Sequence, residues 1–549
     1  MDEEITLEEF APWLALFITL MGGFLRVLLL DSKGMWLDET FSVWLASQSL
    51  PAMLQWTATL DPHPPLYYLL LHTWIARFGD TPYDVRLFSA LFGTATIPVM
   101  YLIGKRLSGA VVGLAAATLL SLSLFNIYFA QEARMYTLLA FNVSVAIYAL
   151  ARLLTDPRSA SQPIGSQFRA YLHDWRTLKP LEPKHAGEFG FRDEPRHQWP
   201  PLQTIETDLA WLGLIIFSAA SLLTHHTAVF FPVAANFFVL GLMLFQRLDK
   251  SKAQTALQPP SAGNWVKAQA AILLLWSPWL PAFIQQAARV DREFWLPKPD
   301  WDTVTWSLRA LLNASAPTQA SQFMTWVLCG VLCLGLAYYR KKLSIFWFLA
   351  ALFFVPILGE LVVSIRRPIF FDKTLIWTTI PLLLALAAGI AQFRLRFLMI
   401  VALGILGANY IFSDGDYYRF AQKEDWGTAA GYVANFAQSG DLVLFNSNFV
   451  VIPFDYYFRA YEDQYSIQVI KQGFPLDLFA DGVLEPRMTE NDIPALISLL
   501  RGHKRVWLVY SHNDYTDPQG LIPQTLAAHM RLAREREFYG GRVQLYETP

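Results

Sequence analysis

The sequence predicts an α-helical polytopic membrane protein with a small α/β soluble domain at its C-terminus. Two observations predict the membrane part. Hydrophobic residues make up 54% of the 549 residues and charged residues only 16%, and apolar runs of about 20 residues, long enough to cross a bilayer, recur along the chain. The third observation concerns the end of the chain, where after residue 413 the long apolar runs give way to short strand-like and amphipathic runs.

A window of about 20 residues defines the candidate membrane-spanning helices. The first run follows an acidic N-terminus, "MDEEITLEEF", unlike the basic start of a signal peptide, so we expect it to remain as a span. The apolar part of residues 64–78 has the length of an interfacial or re-entrant helix and is left out of the count. The eleven predicted spans are residues 11–31, 86–104, 109–127, 135–153, 209–224, 226–247, 266–286, 323–339, 343–363, 374–391 and 396–413.

The distribution of lysine and arginine predicts the orientation of these spans. With the N-terminus inside, the inner loops carry most of the basic residues, including "YRKK" at 339–342 and the pair Arg394 and Arg396. An odd number of spans then places the C-terminal domain outside a plasma or inner membrane. Residues 154–208 are rich in Pro, Arg and His without helical periodicity, which predicts a cytoplasmic, partly disordered loop.

Charge and cysteine content exclude some classes of protein. A net charge of −2 lacks the basic excess typical of nucleic-acid-binding proteins, so we expect membrane lipids and no nucleic acid as partners. Cys329 and Cys333 lie four residues apart in an apolar stretch, which predicts one buried helix face rather than a disulfide or a metal site.

Residues 1–413 are predicted to form the membrane domain and residues 414–549 the outer domain. In the outer domain "EDWGTAAGYVANFAQ" predicts an amphipathic helix, "DLVLFNS", "RVWLVYS" and "RVQLYET" predict strands, and "QTLAAHMRLAREREF" predicts a helix between the last two strands. "SDGD" at 413–416 has the spacing of a DxD metal motif, but Asp-Gly at such a junction is more typical of a turn.

The predicted topology places five polar clusters on the outer side. Ionisable groups at membrane depth usually face a cavity or one another, so a shared polar cavity that opens outward is expected. The clusters are Asp38 with Glu39 in "WLDE", "DPHPPLYY" at 61–68, "AQEARMY" at 130–136, "THHT" at 224–227 and "RRPIFFDK" at 366–373.

The order of these motifs, from "WLDE" and "HPPLYYLLL" through "QEARMYTLLAF" and "THHT" to "RPIFFDKTLIWTTIPLLL", resembles the C-type (GT-C) membrane glycosyltransferases, in particular the bacterial relatives of protein O-mannosyltransferases and aminoarabinose transferases. The resemblance covers roughly residues 10–410. It implies a polyprenyl-phosphate-linked sugar as donor, a lipid, glycan or protein as acceptor, and an essential acidic residue in the first outer loop, here Asp38 with Glu39 beside it. Relatives commonly have Arg-Tyr where this chain has Lys373 and Thr374.

The residues themselves also suit this chemistry. Transfer of a hexosyl or pentosyl group from a lipid phosphate needs a carboxylate that takes the proton of the acceptor, and Asp38 suits that role. It also needs cations that stabilise the departing phosphate, which Arg134, Arg366, Arg367 or Lys373 can supply without a metal. We therefore expect no cofactor, and a divalent metal is optional.

Each candidate residue also has a structural interpretation. Asp38 and Glu39 suit the first turn of a helix, His63 precedes a proline-initiated helix, and Glu132 and Arg134 suit a local ion pair. His225 and His226 are neighbours whose side chains diverge by about 100° on a helix, so one of them is expected to face the cavity. Arg366, Arg367 and Lys373 suit anchors at the membrane surface. As predicted substrate-binding residues we take His63, Glu132, Arg134, His225, His226, Arg366, Arg367 and Lys373.

Two other classes of function compete with an enzyme. A lipid or sugar transporter or flippase also needs charge within the membrane and a central cavity, but predicts internal repeats, and the sequence shows no such symmetry. A structural scaffold for the outer domain leaves "WLDE" and "QEARMY" without a role. The sugar, the acceptor and the polyprenyl length stay open.

Overall fold

The computed structural model describes residues 7–177, 205–248, 255–293, 298–312, 319–393, 396–481, 483 and 486–548. Most of the described chain is helical, and the strands within it form one five-stranded sheet near the C-terminus. The predicted class, a helical membrane protein with a small α/β domain, is confirmed.

Nineteen α-helices precede the C-terminal domain within the described residues. Three of them, α2 to α4, lie between the first two long helices and form the loop that is predicted to lie on the outer side. In chain order the helices are α1 (Leu7–Val27), α2 (Leu37–Ala46), α3 (Leu50–Thr59), α4 (Leu66–Phe78), α5 (Pro82–Ser108), α6 (Ala110–Leu122), α7 (Leu124–Ala130), α8 (Tyr136–Thr155), α9 (Arg158–Ser161), α10 (Ser166–Thr177), α11 (Glu206–Leu222), α12 (Phe230–Leu248), α13 (Ala262–Trp276), α14 (Leu280–Glu293), α15 (Trp301–Leu311), α16 (Gln319–Tyr339), α17 (Leu343–Ser364), α18 (Thr379–Ile390) and α19 (Arg396–Phe420).

Seven helices of the described chain are long and apolar enough to cross a membrane, and they match seven of the eleven predicted spans. An eighth, 109–127, is bent: α6 and α7 meet at 57°. The remaining three predicted spans differ from a single long apolar helix. Span 209–224 is the 17-residue α11, 266–286 is divided between α13 and α14 by the short 3-10 helix Ser277–Trp279, and in α19 the apolar stretch is only Ile400–Asn409.

Buried polar contacts support the bend between α6 and α7. The guanidinium of Arg26 donates to the carbonyl oxygens of Leu120 at 3.0 Å and Ser121 at 3.1 Å. These carbonyls lie in the last turn of α6, where a cation is favourable. Gln131 donates in turn to the carbonyl of Leu28 at 2.8 Å, just beyond α1.

The long helices form one bundle around α5, α6 and α8. α5 packs against α1, α6 and α8, and α18 packs against α6 and α16. A Cβ at Gly335 would lie 1.9 Å from the carbonyl oxygen of Ala385, and one at Gly389 would lie 2.0 Å from that of Val331. Glycine at both positions lets α16 and α18 approach closely, as small residues do between membrane helices.

Two loop predictions need correction. The predicted cytoplasmic loop 154–208 contains helices α9 and α10 in its first part, because "SQFRAYLHDWRT" has amphipathic periodicity, and residues 178–204 lie outside the described ones. Residues 413–416, "SDGD", are part of helix α19 rather than a turn, so the predicted boundary at 413/414 falls within that helix.

The prediction for the two cysteines is also wrong. Cys329 is half-buried and Cys333 exposed on α16, and both are free, so they do not share a buried helix face.

The C-terminal domain follows α19 and is an α/β unit. Its sheet has the order β2-β1-β3-β5-β4, with β1 parallel to β2 and β3, and β5 antiparallel to β3 and β4. Apolar clusters cover both faces of the sheet. The elements are α20 (Trp426–Phe436), β1 (Leu442–Phe445), α21 (Val451–Tyr465), β2 (Ile470–Gly473), α22 (Leu478–Asp481), α23 (Ile493–Leu500), β3 (Arg505–Tyr510), α24 (Asn513–Thr516), α25 (Leu521–His529), β4 (Arg531–Phe538) and β5 (Gly541–Glu547).

The three predicted strands are β1, β3 and β5, and the predicted amphipathic helix is α20. The prediction for 524–538 is wrong in its second half, where β4 replaces the helix. Its alternating Arg and Glu residues favour a helix locally, but pairing with β5 along the sheet edge outweighs that preference. β2 was not predicted; it is only four residues long and includes Lys471 and Gln472.

Candidate active site

The loop between α1 and α5 presents two adjacent carboxylates at the start of a helix. α2 begins at Leu37, so Asp38 and Glu39 both lie in its first turn, where the helix dipole favours negative charge. Neighbouring side chains on a helix point about 100° apart, so the two carboxylates enter different surroundings.

Glu39 is completely buried and tightly bonded. Arg86 of α5 donates from Nε to Oε1 and from Nη2 to Oε2, each at 2.7 Å. The backbone N–H of Ala133 donates to Oε1 at 2.9 Å, and Nζ of Lys423 donates to Oε2 at 3.1 Å. Burial alone would raise the pKa of Glu39, but Arg86 and Lys423 hold it well below its usual value. Glu39 is therefore a buried anion with its acceptor positions occupied.

Asp38 lies in a looser setting and is 29% exposed. Nη2 of Arg134 and Nζ of Lys373 each lie 3.7 Å from its Oδ2. These distances exceed those of a hydrogen bond, so the two cations neutralise the carboxylate without occupying its acceptor positions. Burial alone would raise the pKa of Asp38, but Arg134, Lys373 and His63 outweigh it and lower the pKa. The side chain is therefore ionised at neutral pH and accessible.

Arg134 lies in the short loop 131–135 between α7 and α8. Its Nη1 donates to the carbonyl oxygen of Asp38 and to Oγ of Ser42, both at 3.2 Å. These bonds fix the guanidinium against α2, and the side chain is almost fully buried. Two hydrogen bonds to α2 thus hold Arg134 beside Asp38.

Lys373 reaches the same place from the other end of the chain. It lies in the 3-10 helix Asp372–Thr378, before α18. Its Nζ lies 5.4 Å from the ring centre of Tyr136 and 4.5 Å from that of Phe371, and Cζ of Arg134 lies 6.0 Å from the Tyr136 ring. The two cations therefore share the face of one buried aromatic ring.

A carboxyl group within α17 supports the Lys373 segment. Glu360 is buried, and Oγ1 of Thr374 lies within hydrogen-bond distance of its Oε1 at 2.8 Å and of its Oε2 at 2.9 Å. The residue that follows Lys373 is thereby tied to a membrane helix. The Lys373-Thr374 pair therefore has a defined structural setting.

Glu132 lies behind Asp38 and meets a cation from the far end of the chain. Its Oε1 lies 3.3 Å from Nζ of Lys423. Burial raises the pKa of Glu132 above its usual value, although Lys423 acts in the opposite direction. Lys423 belongs to the segment 421–425 between α19 and α20. The C-terminal segment therefore contributes a side chain to the site.

His63 lies at the edge of the same cluster. Its Nδ1 lies 2.7 Å from Oδ1 of the buried Asp61, and its ring centre lies 5.2 Å from that of His225. The charge of His63 contributes to the lowered pKa of Asp38. The "DPHPPLYY" motif is thus brought to the site as predicted.

The two adjacent histidines diverge, as predicted. His225 faces His63 and Tyr136, and its Nδ1 accepts a hydrogen bond from the backbone N–H of Thr227 at 3.2 Å. Burial lowers the pKa of His225, so the ring is neutral and carries its proton on Nε2. His226 points away, with its Nε2 2.9 Å from Oε1 of Gln286 in α14.

Gln286 links His226 to the segment that precedes His63. Its Nε2 donates to the carbonyl oxygens of Thr57 and Asp61, both at 2.8 Å. His226 therefore supports the segment before His63 through an intermediate side chain, and only His225 lies among the site residues.

Arg366 and Arg367 lie just after the end of α17. Arg366 is exposed and Arg367 half-buried. The salt bridges that reach Asp38 come from Arg134 and Lys373. Of the three cations predicted in this loop, Lys373 is the one in the cluster.

Four residues of the cluster were not predicted from the sequence. Arg86 is the first residue of the predicted span 86–104, and Lys423 lies in a polar segment with ordinary linker composition. Tyr136 lies within the quoted "QEARMY" motif but was not singled out. Glu360 had a clear signal, since a lone carboxyl group in an apolar span is usually functional or paired.

No group of three or more His, Cys, Asp or Glu side chains gathers as metal ligands would within the described part of the chain. The cations around Asp38, by contrast, suit an anionic group, because guanidinium and ammonium groups both bind phosphate. The expectation that no metal is needed remains a prediction.

Comparisons with known proteins bear on this arrangement. The sequence model of one family, described as dolichyl-phosphate-mannose-protein mannosyltransferase, matches residues 62–164, which include His63, Glu132 and Arg134. No curated protein sequence matches the chain.

Solved structures match over almost the whole length. ArnT from Cupriavidus metallidurans in the apo state has a TM-score of 0.57 and 13% sequence identity over 98% of each chain. The same protein bound to undecaprenyl phosphate has a TM-score of 0.53 and 12% identity over 97% of each chain. This chain has the C-type membrane glycosyltransferase fold.

A third match extends this fold to an archaeal protein. The oligosaccharyltransferase AglB from Archaeoglobus fulgidus, in complex with an inhibitory peptide and a dolichol-phosphate, has a TM-score of 0.51 and 10% identity over 99% of this chain and 74% of that one. The GT-C fold predicted by resemblance is therefore confirmed, including the C-terminal region, about which the resemblance said little.

Proposed function

We propose that this chain is a glycosyltransferase that moves a sugar from a polyprenyl phosphate to a lipid, glycan or protein acceptor at the outer face of a membrane. The observation that carries the proposal is the setting of Asp38: an ionised, partly exposed carboxylate with Arg134 and Lys373 each 3.7 Å away. A base and two cations at one point are what transfer from a phosphate requires.

The proposed reaction assigns each group a step. Asp38 takes the proton from the hydroxyl or amine of the acceptor as that atom bonds to the anomeric carbon of the sugar. The bond from that carbon to the phosphate oxygen breaks, and its electron pair leaves with the polyprenyl phosphate. Arg134 and Lys373 stabilise the growing charge on that phosphate. No further acid is needed, because a phosphate anion is a good leaving group.

The choice of donor is supported by the comparisons. The matching family is described by a dolichyl-phosphate-mannose donor, and the ArnT and AglB structures contain undecaprenyl phosphate and a dolichol-phosphate. We propose a related lipid phosphate as the donor here, with a hexosyl or pentosyl group to transfer.

The side of the membrane on which the proposed reaction takes place is inferred from the predicted orientation. The basic loops favour a cytoplasmic N-terminus and an outer C-terminal domain, which places α2 and residues 131–135 on the outer side of a cell membrane. Labelling of single cysteines with an impermeant reagent in intact cells tests this, since a cysteine at the exposed position 501 should react and one at 200 should not.

The function is tested with purified protein in lipid nanodiscs, a panel of radiolabelled undecaprenyl-phosphate sugars, and an envelope extract as the source of acceptor. We expect one donor to release undecaprenyl phosphate while its label enters the acceptor fraction. Asp38→Asn should lower that rate by about 10²- to 10⁴-fold, the usual contribution of a general base.

Asp31→Asn is the matched control, because Asp31 is an exposed acid in the same outer loop, and we expect wild-type turnover. Normal turnover by Asp38→Asn would contradict the role of base. A labelled donor that crosses the bilayer of proteoliposomes with its phosphate bond intact would instead favour a flippase.

A further inference from the structure

Four buried side chains of alternating charge form a row behind Asp38. Arg86 bonds to Glu39 at 2.7 Å, Nζ of Lys423 lies 3.1 Å from Glu39, and the same Nζ lies 3.3 Å from Glu132. None of the four is more than 7% exposed. Lys423 is the only member of this row that comes from the C-terminal side of α19.

Lys423 joins the two segments that carry the proposed catalytic groups. Glu39 is adjacent to Asp38 on α2, and Glu132 lies two residues before Arg134 in the loop 131–135. The backbone N–H of Ala133 also donates to Glu39 at 2.9 Å. A shift of Lys423 would therefore change the position of Asp38 relative to Arg134.

The neighbouring residue, Glu424, holds the same helix from its N-terminus. Its Oε2 accepts hydrogen bonds from the backbone N–H of Leu37 at 3.2 Å and from Nε1 of Trp426 at 2.8 Å. Its Oε1 lies 3.2 Å from Nε2 of His512, which follows β3. Lys423 and Glu424 together connect α2 to the core of the C-terminal domain.

We propose that Lys423 is a positioning residue that sets the separation between Asp38 and Arg134, so that the C-terminal segment completes the site. The proposal rests on the proposed function, because it assigns Lys423 to the two groups named there as base and phosphate ligand. It makes the C-terminal domain part of the catalytic unit.

The physical reason is charge balance in a buried space. Lys423 is the ammonium group that Glu39 and Glu132 share, and Arg86 compensates Glu39 in addition. Removal of one partner of a buried ion pair leaves the other uncompensated, which is strongly unfavourable. Glu132 then either takes a proton or moves, and either change shifts Arg134. A misplacement of about 1 Å near the reacting atoms is enough to slow a reaction about 100-fold.

The test compares Lys423→Gln and Lys423→Arg in the nanodisc assay. Lys423→Gln should lower kcat by about 10- to 100-fold with a smaller effect on the KM of the donor. It should also move the acidic limb of the pH profile to higher pH, because loss of a cation favours the protonated carboxyls and raises their pKa. Lys423→Arg keeps the charge, so the acidic limb should return to its wild-type pH and most of the rate should be restored.

Several other groups influence the same titration, and none of them changes between these variants. They are Asp38, Glu39 and Glu132 as acids, Lys33, Arg86, Arg134 and Lys373 as cations, and the phenols of the half-buried Tyr128 and the buried Tyr417.

Arg459→Gln is the control for simple loosening of the C-terminal domain. Arg459 of α21 bonds to Asp80, between α4 and α5, at 2.6 Å in an exposed contact. We expect its rate and pH profile to match the wild type. A Lys423→Gln variant with wild-type kcat and an unshifted limb would overturn the proposal, as would an equal loss in Arg459→Gln.

Hydrogen exchange separates this proposal from the proposed function. Lys423→Gln should speed exchange of the amides in 37–42 and 131–135 while the strands β1 and β3 stay protected. If the wild type turns over no donor, the proposed function fails, but faster exchange in these two segments still supports the positioning role. Unchanged exchange there would overturn it whatever the kinetics show.

Discussion

Asp38 and Glu39 are neighbours on α2, yet the surroundings of their side chains differ. On the Glu39 side the carboxylate is fully buried and accepts four bonds from Arg86, Lys423 and the Ala133 amide. On the Asp38 side the carboxylate is 29% exposed, and its two cations lie 3.7 Å away. Both side chains are anions, but only one has free acceptor positions and access to a ligand.

This difference predicts a structural role for one of the two neighbouring residues and a chemical role for the other. Buried charges with complete hydrogen bonding hold a structure in place, whereas a general base must be able to meet the proton it removes. The sequence suggested catalytic roles for both residues. The geometry supports Asp38 as the base and Glu39 as the residue that positions it.

Glu39→Gln should have the largest effect on stability. The change leaves Arg86 buried beside a neutral group, and breaking a buried ion pair in this way costs about 3–5 kcal/mol in the free energy of unfolding. Asp38→Asn affects a looser, partly exposed group and should cost less than about 1 kcal/mol. Thermal unfolding of the two variants in the same detergent measures the contrast, and equal losses would remove the distinction.

The pH dependence of stability tests the same contrast. The folded-state pKa of Glu39 lies well below its ordinary value of 4.5, so its stabilising contribution is complete above pH 4.5 and is lost as the pH falls through the lowered pKa. We expect the wild type to lose stability in that acidic window and Glu39→Gln to lose less. Parallel acid-unfolding curves for the two proteins would contradict the assignment.

The sequence predicted much of this comparison but not the partners of Glu39. Hydropathy indicates most spans because lipid imposes length and apolarity on each helix locally. The convergence of "WLDE", "QEARMY", "THHT" and Lys373 was also predictable, since polar groups in a membrane protein gather on one side. The pairing of Glu39 with Lys423 spans 384 residues and depends on how the C-terminal segment returns to α2. No local pattern encodes that return.

The same reasoning explains the errors at α13, α14 and β4. Hydropathy predicts one continuous span over 266–286, but the helix is interrupted at Pro278. Proline lacks an N–H and disfavours the helical backbone of the residue before it. In β4 the choice of strand depends on β5, which is a partner that local propensity does not include.

Asp38→Glu should have the next largest effect, on activity rather than stability. The extra methylene keeps the charge but moves the carboxylate by about 1 Å, which is expected to slow transfer about 100-fold. The nanodisc assay with the active donor measures it. Asp31→Glu serves as control, and a rate within about threefold of wild type for Asp38→Glu would show that the position of the carboxylate is not critical.

Lys373→Met should weaken use of the donor by about tenfold or more, because a cation that faces the departing phosphate is lost. It should also raise the pKa of Asp38, since Lys373 is one of the charges that lower it, and move the acidic limb of the rate to higher pH. Lys373→Arg should restore part of the rate. Arg366→Met, at an exposed cation of the same loop, should change the rate less than threefold, and a larger loss there would favour the arginines first predicted as phosphate ligands.

Chelation of divalent metals should have the smallest effect, less than about twofold on the rate. Arg134 and Lys373 already supply positive charge beside Asp38, and guanidinium binds two phosphate oxygens at once. In the proposed reaction, side chains would therefore supply the counter-charge of the departing phosphate. The measurement is turnover after incubation with EDTA, with and without added magnesium or manganese, in wild type and in Lys373→Met. Loss of activity on chelation with recovery on metal addition, combined with an active Lys373→Met variant, would mean that a metal does the work assigned to the cations, and Asp38 would then have to be reconsidered as a metal ligand.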